Sequence, residues 1–447
     1  MRRHLAPWVL ALGLLTACTT EPSSGPPMDA LSDTTDAPDG STPSLDVEAE
    51  PDAAAETDPG FELPLPAGVP GTQVVFDLDA AADTAQTFYD LPYPSDLRVD
   101  AEGRPDLRGF PNPDELDLIA GLTQAAHDRP GFPAVAAAFF RFDAAPSPQS
   151  SHDTLAAAVS APVHLLDVDP SSPDRGRFFP IVAHTPDPDP YTPENVLAVA
   201  ARPGVVLVPG RTYAFVIRRG LGDATGAPLG VPVAMARLAA DLVPEGSRGA
   251  QAAAVYAPLW ETLDQVGVDR QDVAAATVFT VGDVVAAVSE LSTDILDAYA
   301  PGAVIGGLHV DPDDGGAHPR FCELHGTITL PQFQVGVPPF DSDGLFVEGP
   351  DGLPVAQHNE VIPVVINLPI APMPDAGYPL VMFFHGSGGH SDQVVDAGGK
   401  GQGPAHVLAA HGFATVGSAH PMNPERVPGA GSFDYINFAN LKAFRDI

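Results

Sequence analysis

The chain has 447 residues and carries 21 Lys and Arg against 58 Asp and Glu, a formal net charge of -37. That excess of acid repels nucleic acid phosphates and anionic lipid headgroups, which argues against DNA or RNA as a partner. The length accommodates two or three domains with sizeable cores.

In chain order, Arg2 and Arg3 precede an apolar run from Leu5 to Leu15 and then the junction Leu15-Thr16-Ala17-Cys18. This pattern predicts a signal peptide over residues 1–18. The run is shorter than the about 20 apolar residues that span a bilayer. The small residues before Cys18 resemble the lipobox of bacterial lipoproteins, which implies cleavage before Cys18 and a lipid anchor on it. The expected location is then the cell envelope, at the outer membrane or cell surface. With Cys18 lipidated, only Cys322 remains, so the mature protein can form no intrachain disulfide.

Residues 19–70 are rich in Pro, Ser, Ala and acid, with almost no large apolar side chain before Phe61. Such a segment cannot bury enough apolar surface to order itself. It is expected to be a tether, with a random-coil span of about 40 Å; an acidic tail that binds cations or a basic partner is the alternative.

Between residues 71 and 240, short β-type runs alternate with Pro, Gly and Asp turns: Gln73 to Leu78, Ala134 to Phe142, Val163 to Val168, Phe178 to Val182, Val205 to Val208 and Thr212 to Ile217. The spacing predicts a β-rich, sandwich-like, Ig-like domain. One helix is expected over Asp114 to His127, with Leu116, Ile119, Leu122 and Ala126 on its apolar face. Leu91-Pro92-Tyr93-Pro94-Ser95-Asp96-Leu97-Arg98 resembles the opening of bacterial virulence-factor lipase N-terminal regions. Pro209-Gly210-Arg211-Thr212-Tyr213-Ala214-Phe215 resembles a late strand of bacterial Ig-like modules.

Residues 241–302 turn helical and are expected to connect the domains. Val255, Leu259, Leu263 and Val266 share one face, and Val284, Val288, Leu291 and Ile295 share another behind an Asp283 N-cap. Both are expected to be packing helices, the first kinked or interrupted at Pro258. Ala274 to Val281 reads as a strand, and the Met and aromatic positions here read as core.

From residue 303 onward, a strand over Val361 to Leu368 and a Pro/Gly turn lead to Pro379-Leu380-Val381-Met382-Phe383-Phe384-His385-Gly386-Ser387-Gly388-Gly389-His390. A helix over Pro404 to His411, stopped by Gly412, and a strand over Phe413 to Gly417 follow. Strand, loop, helix and strand are the unit of a parallel α/β sheet. The words in 379–389 and 406–416 resemble the early half of an α/β-hydrolase. The resemblance implies a mostly parallel sheet over 303–447 and an activity on carboxylic esters or lipids that needs no cofactor. It also implies an oxyanion loop shaped by Gly386, Ser387 and Gly388 and oriented by His385.

No G-x-S-x-G nucleophile elbow occurs anywhere, and the family places its Ser, acid and His beyond the second strand. The chain ends at Ile447 inside what reads as the next helix, Phe433 to Arg445, so a fragment lacking the complete triad is expected. His385-Gly386-Ser387-Gly388-Gly389 matches an elbow except at its first position, which leaves Ser387 as an alternative nucleophile. Histidines 385, 390, 406, 411 and 420 match no zinc spacing. Asp311-Pro312-Asp313-Asp314-Gly315-Gly316 departs from an EF-hand loop and reads as a solvated turn. Gly399-Lys400-Gly401 lacks the spacing of a phosphate loop, so no metal or nucleotide site is expected. A non-catalytic surface lipoprotein that binds a glycan, lipid or protein remains the alternative to an ester hydrolase.

Overall fold

Strand β1 (Ala137–Arg141) buries every second side chain, Ala138 and Phe140 being fully enclosed, the signature of a strand with one face on a core. The computed structural model that shows this describes residues 66–80, 84–85, 87–299, 302–312, 318–437, 440 and 443. They belong to one of the chain's two compact units, Leu65–Ile447. The signal segment, Cys18 and the tether up to residue 65 lie outside the described residues, as do Asp313 to Gly316.

Helix α1 (Asp117–His127) precedes β1, and β2 (Thr154–Leu155), β3 (Val163–Asp167), β4 (Phe178–Phe179), β5 (Ile181–His184), β6 (Val196–Ala201) and β7 (Thr212–Arg218) follow it. Helices α2 (Val233–Ala239) and α3 (Gly249–Val266) then lead to β8 (Val273–Thr280) and α4 (Val284–Tyr299). The strands form two four-stranded antiparallel sheets, in the orders β1-β6-β5-β2 and β4-β3-β7-β8. Phe140, Leu197 and Ile181 of the first sheet pack against Leu165, Phe215 and Phe279 of the second in a single core cluster. The opposite face of the second sheet, with Leu166, Val216 and Val278, packs on Tyr256, Leu259, Trp260 and Leu263 of α3 and Met235 of α2. The result is a sheet, sheet and helix layering, in which β8 completes the second sheet. The Met and aromatic positions of α2 and α3 are core.

Several local expectations change. Pro258 does not interrupt α3, which runs from Gly249 to Val266 and buries Leu259 and Leu263 on both sides of the next turn. Thr262 Oγ1 donates to the Pro258 carbonyl at 2.7 Å, and Gly267 at φ 77° ends the helix. Gln73 to Leu78 forms a lone bridge at Val74 to Phe142 rather than a strand, and Val205 to Val208 is irregular. The supposed apolar face of α1 faces solvent at Leu116 and Leu122. In α4, Asp283 accepts from the Ala286 N–H at 2.9 Å as an N-cap, yet Val288 is exposed. Apolar periodicity marks a helix but not what covers its face.

The third sheet contains β9 (Ile305–Val310), β10 (Phe321–Gln332), β11 (His358–Pro369), β12 (Leu380–Phe383) and β13 (Ala414–Ser418), in the order β12-β13-β11-β10-β9, with helix α5 (Pro404–Ala410) between β12 and β13 in sequence. The expectation of a mostly parallel α/β-hydrolase sheet is overturned. β9 with β10, β10 with β11 and β11 with β13 are all antiparallel; β12 with β13 is the sheet's parallel pair. A parallel pair needs a crossover of a dozen or more residues, commonly helical, and here the segment through α5 supplies it. The fold class is therefore predominantly antiparallel β, with two antiparallel sheets and one mixed sheet. Among the described residues, no helix is long and apolar enough to cross a membrane.

Candidate functional site

Strand β12 ends at Phe383, and the chain turns through Phe384, His385, Gly386, Ser387, Gly388 and Gly389. The Gly389 N–H donates to the Gly386 carbonyl at 3.0 Å, which closes a four-residue turn. Its third residue, Gly388, has φ 71°, the conformation that a type II turn requires and glycine supplies without strain. A Cβ on Gly388 would collide with Oγ of Ser432, and one on Gly389 would lie 2.8 Å from Cβ of His385. Two glycines of this loop are thus demanded by close approach.

His385 is buried beneath the turn. The backbone N–H of His420 donates to its Nε2 at 3.1 Å. That donor obliges Nε2 to accept, so the proton of the neutral ring sits on Nδ1, which donates to the Gly386 carbonyl at 2.8 Å. The Asn423 amide lies 3.4 Å from the same Nε2 and also donates to the Gly389 carbonyl. His385 thus ties the turn to the segment after β13 and orients the loop. Both ring nitrogens are engaged, so it does not present a free base.

The ring of His420 stacks on that of His385 at 4.0 Å between centroids, and Phe384 closes the stack at 5.4 Å from His420. Burial, with the neighbouring His385 and Arg426, holds the His420 ring below its ordinary pKa, which favours the neutral form. Its Nε2 is buried with no hydrogen-bond partner among the described residues. Arg426 is fixed by Glu360, with Nε 2.8 Å from Oε1.

Ser387 is exposed, and its hydroxyl donates to the Ser432 carbonyl. It is not followed by a helix, and no histidine ring is hydrogen-bonded to it. More widely, among the described residues no serine or threonine hydroxyl is hydrogen-bonded to a histidine ring. The buried Ser391 is committed to Glu425 by two contacts, its N–H to Oε2 at 2.7 Å and its Oγ to Oε1 at 2.8 Å. What the loop offers instead is backbone: among the described residues, the N–H groups of Gly386, Ser387 and Gly388 meet no acceptor. Gly386 and Ser387 are exposed. Free N–H groups beside a left-handed glycine are a recurrent way to bind an oxyanion or carboxylate.

The structure separates the other singled-out residues. His390 lies at the Glu425 carboxylate at 3.8 Å, whereas His406 lies with His318 near the start of α5, at 5.5 Å between rings. Lys400 pairs with Asp311 at 3.3 Å. Cys322 is a free thiol on β10. The sequence reading misses Asn423, Ser432 and Glu425, which hold the loop from 34 to 45 residues away. Asn423-Pro424 is a turn signal, but nothing local tells what it touches.

The other motif words prove to be packing devices. Asp96 accepts from Thr280 twice, from its N–H at 2.9 Å and Oγ1 at 2.7 Å, while Thr277 Oγ1 donates to the Pro94 carbonyl. Arg98 donates to the Phe88 carbonyl at 2.7 Å and stacks over the Phe88 ring. The 91–98 stretch therefore latches the chain onto β8. In the other word, the fully buried Tyr213 hydroxyl accepts from the Val208 N–H at 3.0 Å and pins the turn at Gly210. No family model matches the chain, and no curated protein and no solved structure matches it.

Proposed function

We propose that the protein is a lipid-anchored envelope protein of the ester-hydrolase type, in which the loop His385 to Gly389 receives the carbonyl or carboxyl oxygen of a carboxylic ester. The observation that carries this reading is the set of N–H groups at Gly386, Ser387 and Gly388, without an acceptor among the described residues, on a turn that His385 and Asn423 hold in place. Preorganised donors of this kind stabilise negative charge without reorganising as it forms. The envelope location rests on the Arg2-Arg3 start, the apolar run and the Cys18 junction, and the tether of 19–70 would hold the folded unit off the membrane.

The reading assigns binding and electrostatic roles and no attacking group, because Ser387 is committed to Ser432. That commitment favours a second reading, a surface lipoprotein that binds carboxylates or esters without turning them over. The natural lipid-modified protein, purified from its own envelope and assayed with p-nitrophenyl butyrate, separates them. The first reading expects turnover that falls about 100-fold when one donor is removed by Ser387→Pro. Saturable butyrate binding without turnover selects the second, and neither turnover nor binding sinks both.

A further inference from the structure

Strands β9 and β10 pair with Val310 opposite Leu324 and His309 opposite His325. The ladder continues one step further, where the Asp311 N–H donates to the Glu323 carbonyl at 3.0 Å. Residues directly opposed across a sheet share a face, and so do residues two apart along a strand. Asp311, Glu323, His325 and His309 therefore occupy the four corners of a patch on one face of this sheet. One ligand atom each from Asp311, Glu323 and His325 lies within 4.8 Å of the others.

We propose that Asp311, Glu323 and His325 bind a divalent transition metal ion of the zinc class. One oxygen from each carboxylate and Nε2 of His325 would be the ligands, with water in the remaining position. Imidazole and carboxylate are suitable zinc donors at about 2.0–2.2 Å, which sets tetrahedral ligands about 3.3 Å apart. His325 Nε2 already lies 2.8 Å from Glu323 Oε1, so small side-chain rotations bring the three atoms to that spacing.

The charge of the patch points the same way. Glu323 is 2% exposed, and a carboxylate taken out of water is costly unless it is paired. The carboxylates of Asp311 and Asp396 add further negative charge around it. Among the described residues, Lys400 lies 3.3 Å from Asp311 and His325 faces Glu323. A dication would neutralise the Asp311 and Glu323 pair directly. The neighbouring loop is pinned, with the Gly401 N–H donating to Asp396 at 2.7 Å and His318 Nε2 3.0 Å from the Gly401 carbonyl, so the patch has a fixed wall. This site is separate from the His385 loop and does not depend on the ester reading.

The test is competition for zinc between the full-length protein and a chromophoric chelator at neutral pH. One equivalent of Zn²⁺ is expected to bind, with affinity reduced at least tenfold in His325→Ala and in Glu323→Gln but unchanged in His411→Ala, an exposed histidine elsewhere. Thermal unfolding checks that each variant is folded. His325, whose side chain is 36% exposed, supplies the decisive variant if Glu323→Gln does not fold. Absence of zinc binding by the natural sequence, or equal binding by His325→Ala, overturns the proposal.

Discussion

His420 grips His385 twice: its ring stacks on the His385 ring at 4.0 Å, and its backbone N–H donates to His385 Nε2 at 3.1 Å. One residue thereby fixes the tautomer of the other and, through Nδ1, the carbonyl at the start of the glycine turn. The loop's shape is thus set by the segment that follows β13, the strand paired in parallel with β12.

Removing that link is expected to loosen the turn. His385→Ala leaves the His420 N–H without its acceptor and removes one of the two acceptors of the Asn423 amide, at a cost of about 1–3 kcal/mol. Urea unfolding measures the loss, and hydrogen exchange should show faster exchange at residues 386–389. Ser387→Ala, which removes an exposed hydroxyl, should change stability by less than about 1 kcal/mol. Equal losses in the two variants would contradict the assigned roles.

Gly388→Ala combines a left-handed backbone with a collision at Ser432. The expected destabilisation is about 1–3 kcal/mol. Adding Ser432→Gly removes the colliding side chain and should recover part of that loss, leaving the backbone cost of alanine at φ 71°. Strict additivity in the double-mutant cycle would show that the two residues do not touch.

Asp96 should matter more to folding than to any ligand. Asp96→Ala removes two hydrogen bonds to Thr280 and is expected to cost about 3 kcal/mol. Asp96→Asn keeps an acceptor for the Thr280 N–H and should cost clearly less. Thermal unfolding of the two variants gives the comparison.

Acid should weaken the β-sandwich through His164. Burial, reinforced by Arg218 and opposed by Asp272, pushes this ring down from 6.5 to about 4. The folded state therefore disfavours the proton that the unfolded chain accepts below pH 6.5. The associated stability is fully present above that pH and is lost as pH falls toward 4, on the order of 3 kcal/mol across the window. His164→Leu should flatten the decline between pH 7 and pH 5 by about 2 kcal/mol. Parallel declines in urea titrations would contradict this.

The sequence exposed the sandwich better than the site. Val163 to Val168, Thr212 to Ile217 and Ala274 to Val281 announce strands because buried β-branched and aromatic residues crowd between turn signals, and the structure places β3, β7 and β8 there. The parallel motif around Leu380 and Ala414 was equally visible. Its extrapolation to a whole sheet failed because β10 and β11, which pair antiparallel over twelve positions from Phe321 to Gln332, carry no local mark of strand direction. Glycines 386, 388 and 389 flagged the loop, since a run of them after a buried strand requires an explanation. Asn423 and Ser432 could not be found the same way, because their importance lies in contacts across 34 and 45 residues of chain.

The most direct test of the oxyanion-binding loop is the amide response of isotopically labelled protein titrated with butyrate, read at Gly386, Ser387 and Gly388. The account predicts that these three N–H resonances shift together and saturate with one binding constant, and that His385→Ala weakens that response. Unmoved loop resonances at saturating butyrate, or shifts confined to other parts of the molecule, would contradict it.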